Sequence, residues 1–292
     1  MKYKTFSLFL LQFLFLYAFS SALNITRKPS PIEFFKQFQG SQKGDKVKGI
    51  HQLKEYLQKL GYVNHNSSGD YFDENLESAI KTYQINFNLN PTGTLDLKTE
   101  STMAKPRCGV PDLINGTTRM RISSDIFHSH YALFPGNPKW PVTLDFLTYS
   151  FAPGTRDDAK EAVKQALLTW SSVTPFAFTF LEDYEVADIK ISFQRGEHGD
   201  GIPFDGPGGA LAHASAPTTG LLHFDADETW AVGAVPGAAD IQTAALHELG
   251  HVFGLAHSSV EEAIMYPFMP TGSVKRGLDH DDILGLQTLY TS

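Results

Sequence analysis

The sequence predicts a small helical domain followed by a larger domain, α+β or α/β, built on a twisted sheet. Three observations carry that reading. Apolar residues recur at helical spacing between residues 50 and 87, strand, helix and strand patterns succeed one another from 142 to 193, and a poorly patterned stretch, 113–135, separates the two. Hydrophobic residues are 42% and aromatics 12% of the 292 residues, enough for packed cores and too many for a disordered chain. The formal net charge of −8 argues against a nucleic-acid binder and against attraction to anionic membranes.

Residues 1–22 read as an export signal: Lys2 and Lys4 precede an apolar run from Phe6 to Ala18, and Ser20-Ser21-Ala22 offers small residues for cleavage. That run is short for a membrane span, and no later stretch is apolar enough for a transmembrane segment. The chain ends in Leu-Tyr-Thr-Ser without the hydrophobic tail of a lipid-anchor signal. A secreted, extracellular protein is therefore expected, with Asn24, Asn66 and Asn115 opening N-x-S/T triplets as candidate glycan acceptors.

The helical domain spans about 44–107. Ile50, Leu53, Leu57 and Leu60 share a helix face, and Gly61 sits where a left-handed C-terminal residue is wanted. Leu76, Ile80, Tyr83 and Phe87 repeat the pattern behind Asp73 and Glu74, Asn90-Pro91-Thr92-Gly93 turns the chain, and 96–104 suits a short third helix. Asn115-Gly116 and Pro135-Gly136 punctuate an exposed linker, a natural place for a protease to cut. Beyond it, 142–151 suits a strand. Thr155-x-x-Asp158 resembles a capping box, Ala159, Val163, Ala166 and Trp170 share a helix face, and Ile189, Ile191 and Phe193 alternate with polar residues.

The chemistry concentrates in His247-Glu248-Leu249-Gly250-His251-Val252-Phe253-Gly254-Leu255-Ala256-His257. On a helix, His247 and His251 lie one turn apart on one face, so two imidazoles can bind one Zn²⁺. The apolar neighbours Ala244, Ala245, Leu246, Leu249, Val252 and Phe253 predict a buried helix. Gly254 can stop that helix in a left-handed conformation and return the chain, so that His257 supplies a third ligand. The fourth position is then open to water, whose proton Glu248 can take as general base.

With Ala263-Ile264-Met265-Tyr266-Pro267 close behind, this is the HExxHxxGxxH and Met-turn pattern of the metzincins. Within that clan the chain resembles a matrixin, a matrix metalloproteinase of the short, plant-like type, over nearly its whole mature length. PRCGVPD (106–112) matches the family's cysteine-switch motif, residues 44–107 resemble its peptidoglycan-binding-like propeptide domain, and 198–214 and 223–230 match its metal-binding loops. No hemopexin-like segment follows. The resemblance implies an α+β catalytic domain, a twisted and mostly parallel sheet with helices, over 131–292. It implies a propeptide over 23–130, and Met265 packing its thioether beneath the three imidazoles.

The loops extend the metal chemistry. His198, Asp200, His213 and His223 offer three imidazoles and one carboxylate with every position filled by protein, the mark of a structural zinc site, so two Zn²⁺ are expected. Asp205-Gly206-Pro207-Gly208-Gly209-Ala210 can aim carbonyls at a cation, and with Asp225 and Glu228 it resembles the matrixin calcium site; oxygen ligands suit Ca²⁺. Asp188 and Gly220 match a possible second calcium site. There Leu221 stands where a carboxylate is expected, and Phe151-Ala152-Pro153-Gly154 also lacks the usual acid.

Cys108 is the chain's one cysteine, so it is a buried inert residue, an intermolecular partner or a thiol with a function. The resemblance selects the last: Cys108 as fourth zinc ligand displaces the water, with Arg107 and Asp112 pairing across the loop. Glu248 as catalytic base, with His247, His251 and His257 on zinc, gives a latent, monomeric endopeptidase of protein or peptide substrates, opened by an activating protease. Matrixins favour bulky apolar residues after the cut bond, and small Thr243 need not close such a pocket. Two other readings are a non-catalytic extracellular polymer-binding module and a zinc hydrolase of non-peptide bonds; Glu248 speaks against the first and the Met-turn against the second.

Overall fold

The computed structural model describes residues 30–63, 69–114, 117–118 and 130–291. The export segment 1–22, most of the linker, and Asn24, Asn66 and Asn115 lie outside the described residues.

The helical domain begins earlier than its periodicity predicts. A short helix α1 (Pro31–Lys36) precedes α2 (Ile50–Lys59), α3 (Glu74–Asn86) and α4 (Leu97–Met103). Six residues are too few to show a period, yet Phe35 and the following Phe38 are buried in the same core as Leu53, Leu57, Leu76 and Tyr83. Asp73 and Asp96 cap α3 and α4 by accepting the N–H of Leu76 and Thr99 at 2.8 and 2.9 Å. Asp73 also pairs with the buried Lys54 at 2.5 Å, so one carboxylate satisfies a helix start and an interior ammonium together.

Gly61 ends α2 as expected, at φ 87°, with the Tyr62 N–H closing back on Leu57 O at 2.8 Å. It has a second task. The N–H groups of Asp112 and Leu113 donate to Leu60 O at 3.0 and 3.1 Å, and a Cβ on Gly61 would stand 2.0 Å from Leu113 O.

The chain then forms β1 (Arg107–Cys108), β2 (Leu113–Ile114) paired with β3 (Thr117–Thr118), β4 (Phe146–Phe151), α5 (Asp157–Ser171), β5 (Ala177–Phe180), β6 (Ile189–Gln194), β7 (Ala210–Ala214) and β8 (Leu221–Asp225). β9 (Trp230–Ala231) and β10 (Ala239–Asp240) pair ahead of α6 (Ile241–Val252), and α7 (His280–Thr291) follows. The six-stranded sheet runs β1-β7-β8-β6-β4-β5 and is parallel except where β7 meets β8, so the α+β reading with a mostly parallel sheet holds.

Two local expectations are corrected. Residues 142–145 are not strand: Pro141 starts a turn closed by the Leu144 N–H on Pro141 O at 3.1 Å, and β4 begins at Phe146. The Thr155/Asp158 capping box does not form. Arg156 takes the N-cap position of α5 without a side-chain cap, because Thr155 Oγ1 donates back to Ala152 O at 2.7 Å.

The described residues from Pro31 onward make one compact unit holding two apolar cores. In the larger, Trp170 of α5 donates its indole N–H to Leu246 O of α6 at 2.8 Å, and Trp140 donates to Val252 O at the far end of α6. Phe268 crosses between the parts: it follows the Met-turn in sequence but is buried in the helical core, 4.9 Å from the Phe87 ring.

An alanine at Gly61 must adopt a left-handed backbone, about 1–2 kcal/mol, and also collides with Leu113 O. Gly61→Ala is expected to destabilise by about 3 kcal/mol or more in urea unfolding. Gly44→Ala, at φ 102° with open space around it, is expected to show only the conformational part.

Candidate metal centre and catalytic site

Asp240 starts α6 by accepting the Thr243 N–H at 2.7 Å, and Arg276 holds the same carboxylate. Thr243 Oγ1 donates to Asp240 and accepts the Lys275 N–H, so this small residue is tied at the helix start. Every residue of the helix except Gln242 is buried, as its apolar sequence requires. His247 and His251 project from it one turn apart, with ring centroids 4.9 Å apart. Gly254 takes φ 105° and turns the chain so that the His257 ring lies 5.3 and 4.8 Å from the other two.

Each imidazole is oriented from behind. His247 Nδ1 lies 2.6 Å from Ile264 O, His251 Nδ1 2.8 Å from Leu255 O, and His257 Nδ1 2.8 Å from Asp112 Oδ1. Carbonyls and carboxylates only accept, so Nδ1 carries the proton and Nε2 turns its lone pair inward. His247 Nε2 and His257 Nε2 are buried without a hydrogen-bond partner. Burial pushes all three imidazoles below their usual range, which favours the neutral, ligating form.

Cys108 closes the cluster. Its Sγ lies 3.4 Å from His251 Nε2, and the four ligand atoms all fall within 4.8 Å of one another. Tetrahedral zinc with bonds of about 2.0–2.3 Å sets its donors roughly 3.3–3.6 Å apart, so these residues fit the metal. β1 delivers the sulfur by lying between two segments of the chain. Arg107 N–H and Gly109 N–H donate to Gly209 O and Ala212 O on the β7 side, and Cys108 N–H donates to Pro267 O on the other, each at 2.8 Å. A Cβ on Gly109 would stand 3.3 Å from Ala210 Cβ, so glycine permits the close approach.

Glu248 is fully buried, and its two oxygens make no hydrogen bond of ordinary length. Burial pushes its carboxyl up to about 8, with the neighbouring Cys108 thiol pulling the other way. Met265 Sδ packs on Gly250, the residue before His251: a Cβ there would lie 2.2 Å from the sulfur. Asp282, which the sequence reading missed, pins the Met-turn by accepting the N–H groups of Ile264 and Met265 at 2.9 and 3.1 Å.

His198, Asp200, His213 and His223 form the second cluster with ligand atoms within 4.8 Å. His213 and His223 face each other across the antiparallel β7/β8 pair. Asp200 Oδ2 lies 2.8–3.1 Å from a nitrogen of each of the three rings, and His198 and His213 Nε2 are 3.3 Å apart, again tetrahedral spacing. Burial pushes His213 down to about 4, against the opposing pull of Asp200.

Gly206 and Gly208 take left-handed conformations in the loop before Ala210, where Asp205 Oδ1 accepts the Ala210 N–H and Glu228 Oε1 accepts the Gly208 N–H. Burial pushes Glu228 up to about 7, reinforced by the charges of Asp225 and Asp205. These three carboxylates are neighbours but not a cluster as tight as the other two. At the remaining pair, Asp188 Oδ2 accepts from the Thr148 N–H and hydroxyl, and Gly220 O accepts from the Lys190 N–H. Gly220 lies against the Asp188 carbonyl, where a Cβ would stand 1.9 Å away.

Arg107 and Asp112 do pair, at 2.5 Å and fully buried, but Asp112 also takes the Tyr62 hydroxyl at 3.0 Å and the His257 ring. Despite burial, the Arg107 guanidinium and His257 hold the Asp112 carboxyl down to about 2. Tyr62 directly follows the glycine that ends α2, and nothing in its spacing announces this reach.

Residues 139–291 match the Matrixin peptidase family, and 46–103 match the Putative peptidoglycan binding domain. Metalloendoproteinase 2-MMP of Arabidopsis thaliana is 43% identical, over 88% of this chain and 74% of its own. Metalloendoproteinase 1 of Glycine max is 45% identical over 85% of this chain and 83% of its own. Matrilysin of Homo sapiens is 39% identical over 82% and 84%.

A carboxyl depressed in the folded state stabilises above its unfolded value near 4, and loses that contribution as pH falls through about 2. The stability difference between wild type and Asp112→Asn is therefore expected to shrink by roughly 2 kcal/mol between pH 5 and pH 2. Paired urea melts across that range check it.

Proposed function

The chain belongs to the matrixin family, zinc-dependent metalloendopeptidases that act on proteins, and on that premise we propose that it is exported as a latent precursor opened by removal of 23–130. One observation carries the reading: the thiol of Cys108 stands at the corner of the His247/His251/His257 cluster where a fourth ligand belongs.

Held by the three histidines, zinc supplies Lewis acidity toward a carbonyl oxygen and lowers the pKa of a water. The protein's own groups do the rest. Glu248, one residue along α6 from the first ligand, takes the proton of the attacking water and passes it to the departing amine. With the pro-segment gone, the β7 edge offers backbone groups to an extended substrate in the place of β1.

The site assignments are part of the same proposal. His198, Asp200, His213 and His223 hold a second, structural zinc, and the Asp205–Ala210 loop with Asp225 and Glu228 holds calcium. Asp188 and Gly220 are already engaged by protein partners, which supports a second calcium less well. The signal at 1–22 and the Asn24, Asn66 and Asn115 triplets support an extracellular glycoprotein, working as a monomer on extracellular proteins. The domain limits follow: helical propeptide to about 107, switch at 106–112, catalytic part from about Tyr131. No helix among the described residues is long and apolar enough to cross a membrane.

Glu248→Ala leaves every ligand in place. It is expected to lower peptide hydrolysis by the activated enzyme about 10²–10⁴-fold while the chain retains two zinc ions by elemental analysis. Cys108→Ser replaces the thiolate with a poorer ligand. The intact serine precursor is expected to cleave a peptide substrate before any processing is visible on a gel; silence until the linker is cut would show that cover, not sulfur, keeps the enzyme latent.

A further inference from the structure

The three imidazoles are backed unequally. His247 and His251 donate their Nδ1–H to the carbonyls of Ile264 and Leu255, which stay with them after any cut near Tyr131. His257 donates to Asp112, a residue of the segment that processing would remove. Both side chains are fully buried. Asp112 is itself fixed from the same side: Arg107 Nη2 donates to Oδ1 at 2.5 Å, the Tyr62 hydroxyl to Oδ2 at 3.0 Å, and Asn86 Nδ2 to that hydroxyl at 2.9 Å. A carboxylate behind a metal-binding imidazole locks its tautomer and makes the opposite nitrogen more basic. The carboxylate–histidine arrangement is thus present at one ligand of three, and its carboxylate is detachable.

We propose that Asp112 is a positioning residue of the latch that acts through His257, so that the switch segment grips the metal centre twice, directly by Cys108 and indirectly by Asp112. The proposal rests on the latent-precursor reading above. Excision then withdraws the fourth ligand and, with it, the carboxylate behind the third. The competing account is that Asp112 serves only Arg107, bracing the loop so that Cys108 stays in place.

Metal release to a chelator, followed in the intact full chain, separates the two. It is measured for wild type, Cys108→Ala, Asp112→Asn and the double variant, each loaded with Co²⁺ and followed by its visible absorption. Action through His257 predicts that Asp112→Asn speeds loss from the three-histidine centre about tenfold or more even when Cys108 is already alanine. No further change in the Cys108→Ala background overturns the proposal. A second measurement needs no variant. In zinc-loaded, ¹⁵N-histidine-labelled protein, cutting and removing the pro-segment is expected to shift or abolish the Nδ1–H resonance of His257 while those of His247 and His251 persist. All three resonances unchanged would overturn it equally. The latent-precursor reading fails by a different result, a silent Cys108→Ser precursor, which neither measurement produces.

Discussion

Placing three imidazole nitrogens together in a buried pocket, two of them without hydrogen-bond partners, is the constraint around which this molecule is arranged. An unpaired buried polar nitrogen costs on the order of 1–3 kcal/mol, and His247 Nε2 and His257 Nε2 both face it within one pocket. A dication converts that penalty into affinity, which is why metal binding and folding are coupled at such sites. Everything nearby serves to keep the rings aimed. Ile264 and Leu255 carbonyls fix two tautomers, Asp282 fixes the turn that presents Ile264, and glycine at 250 makes room for the Met265 sulfur.

The same constraint explains why the helical part is joined so intimately to the rest. β1 is held by backbone hydrogen bonds on both of its edges, and Phe268 leaves its own part of the sequence to complete the helical core. Around them, the Arg107 guanidinium lies over the Phe87 and Phe268 rings, 5.8 and 5.3 Å from their centroids. A strand that ends on Cys108 is thereby placed by main chain, aromatic faces and a buried ion pair at once.

Much of this was legible in the sequence, and for identifiable reasons. The spacing of His247, His251, Gly254 and His257 is a statement about helix pitch and one left-handed residue, both local, so it could be read directly. His198, Asp200, His213 and His223 needed the likeness to known loops, because their meeting depends on the β7/β8 register. Helix α1 was too short for any period to show. The capping box failed because Thr155 found a nearer acceptor in Ala152. The least legible contacts were those spanning long sequence distance: Tyr62 to Asp112, Asp282 to the Met-turn, and Asp112 to His257. Carboxylates, unlike apolar stripes, have no periodicity, and their partners are chosen by tertiary packing.

That Cys108 rides on the chain it faces has a kinetic meaning as well as a structural one. While the backbone is continuous, the thiol meets the histidines at an effective concentration on the order of millimolar or more, whatever the amount of protein present. The closed state is then first order, equally firm at trace levels and at abundance. Once the backbone is cut, the same contacts become a bimolecular complex subject to dilution. For the latent precursor proposed above, release would thus be driven by dilution, and a single scission would act as a one-way valve without any change in the contacts themselves.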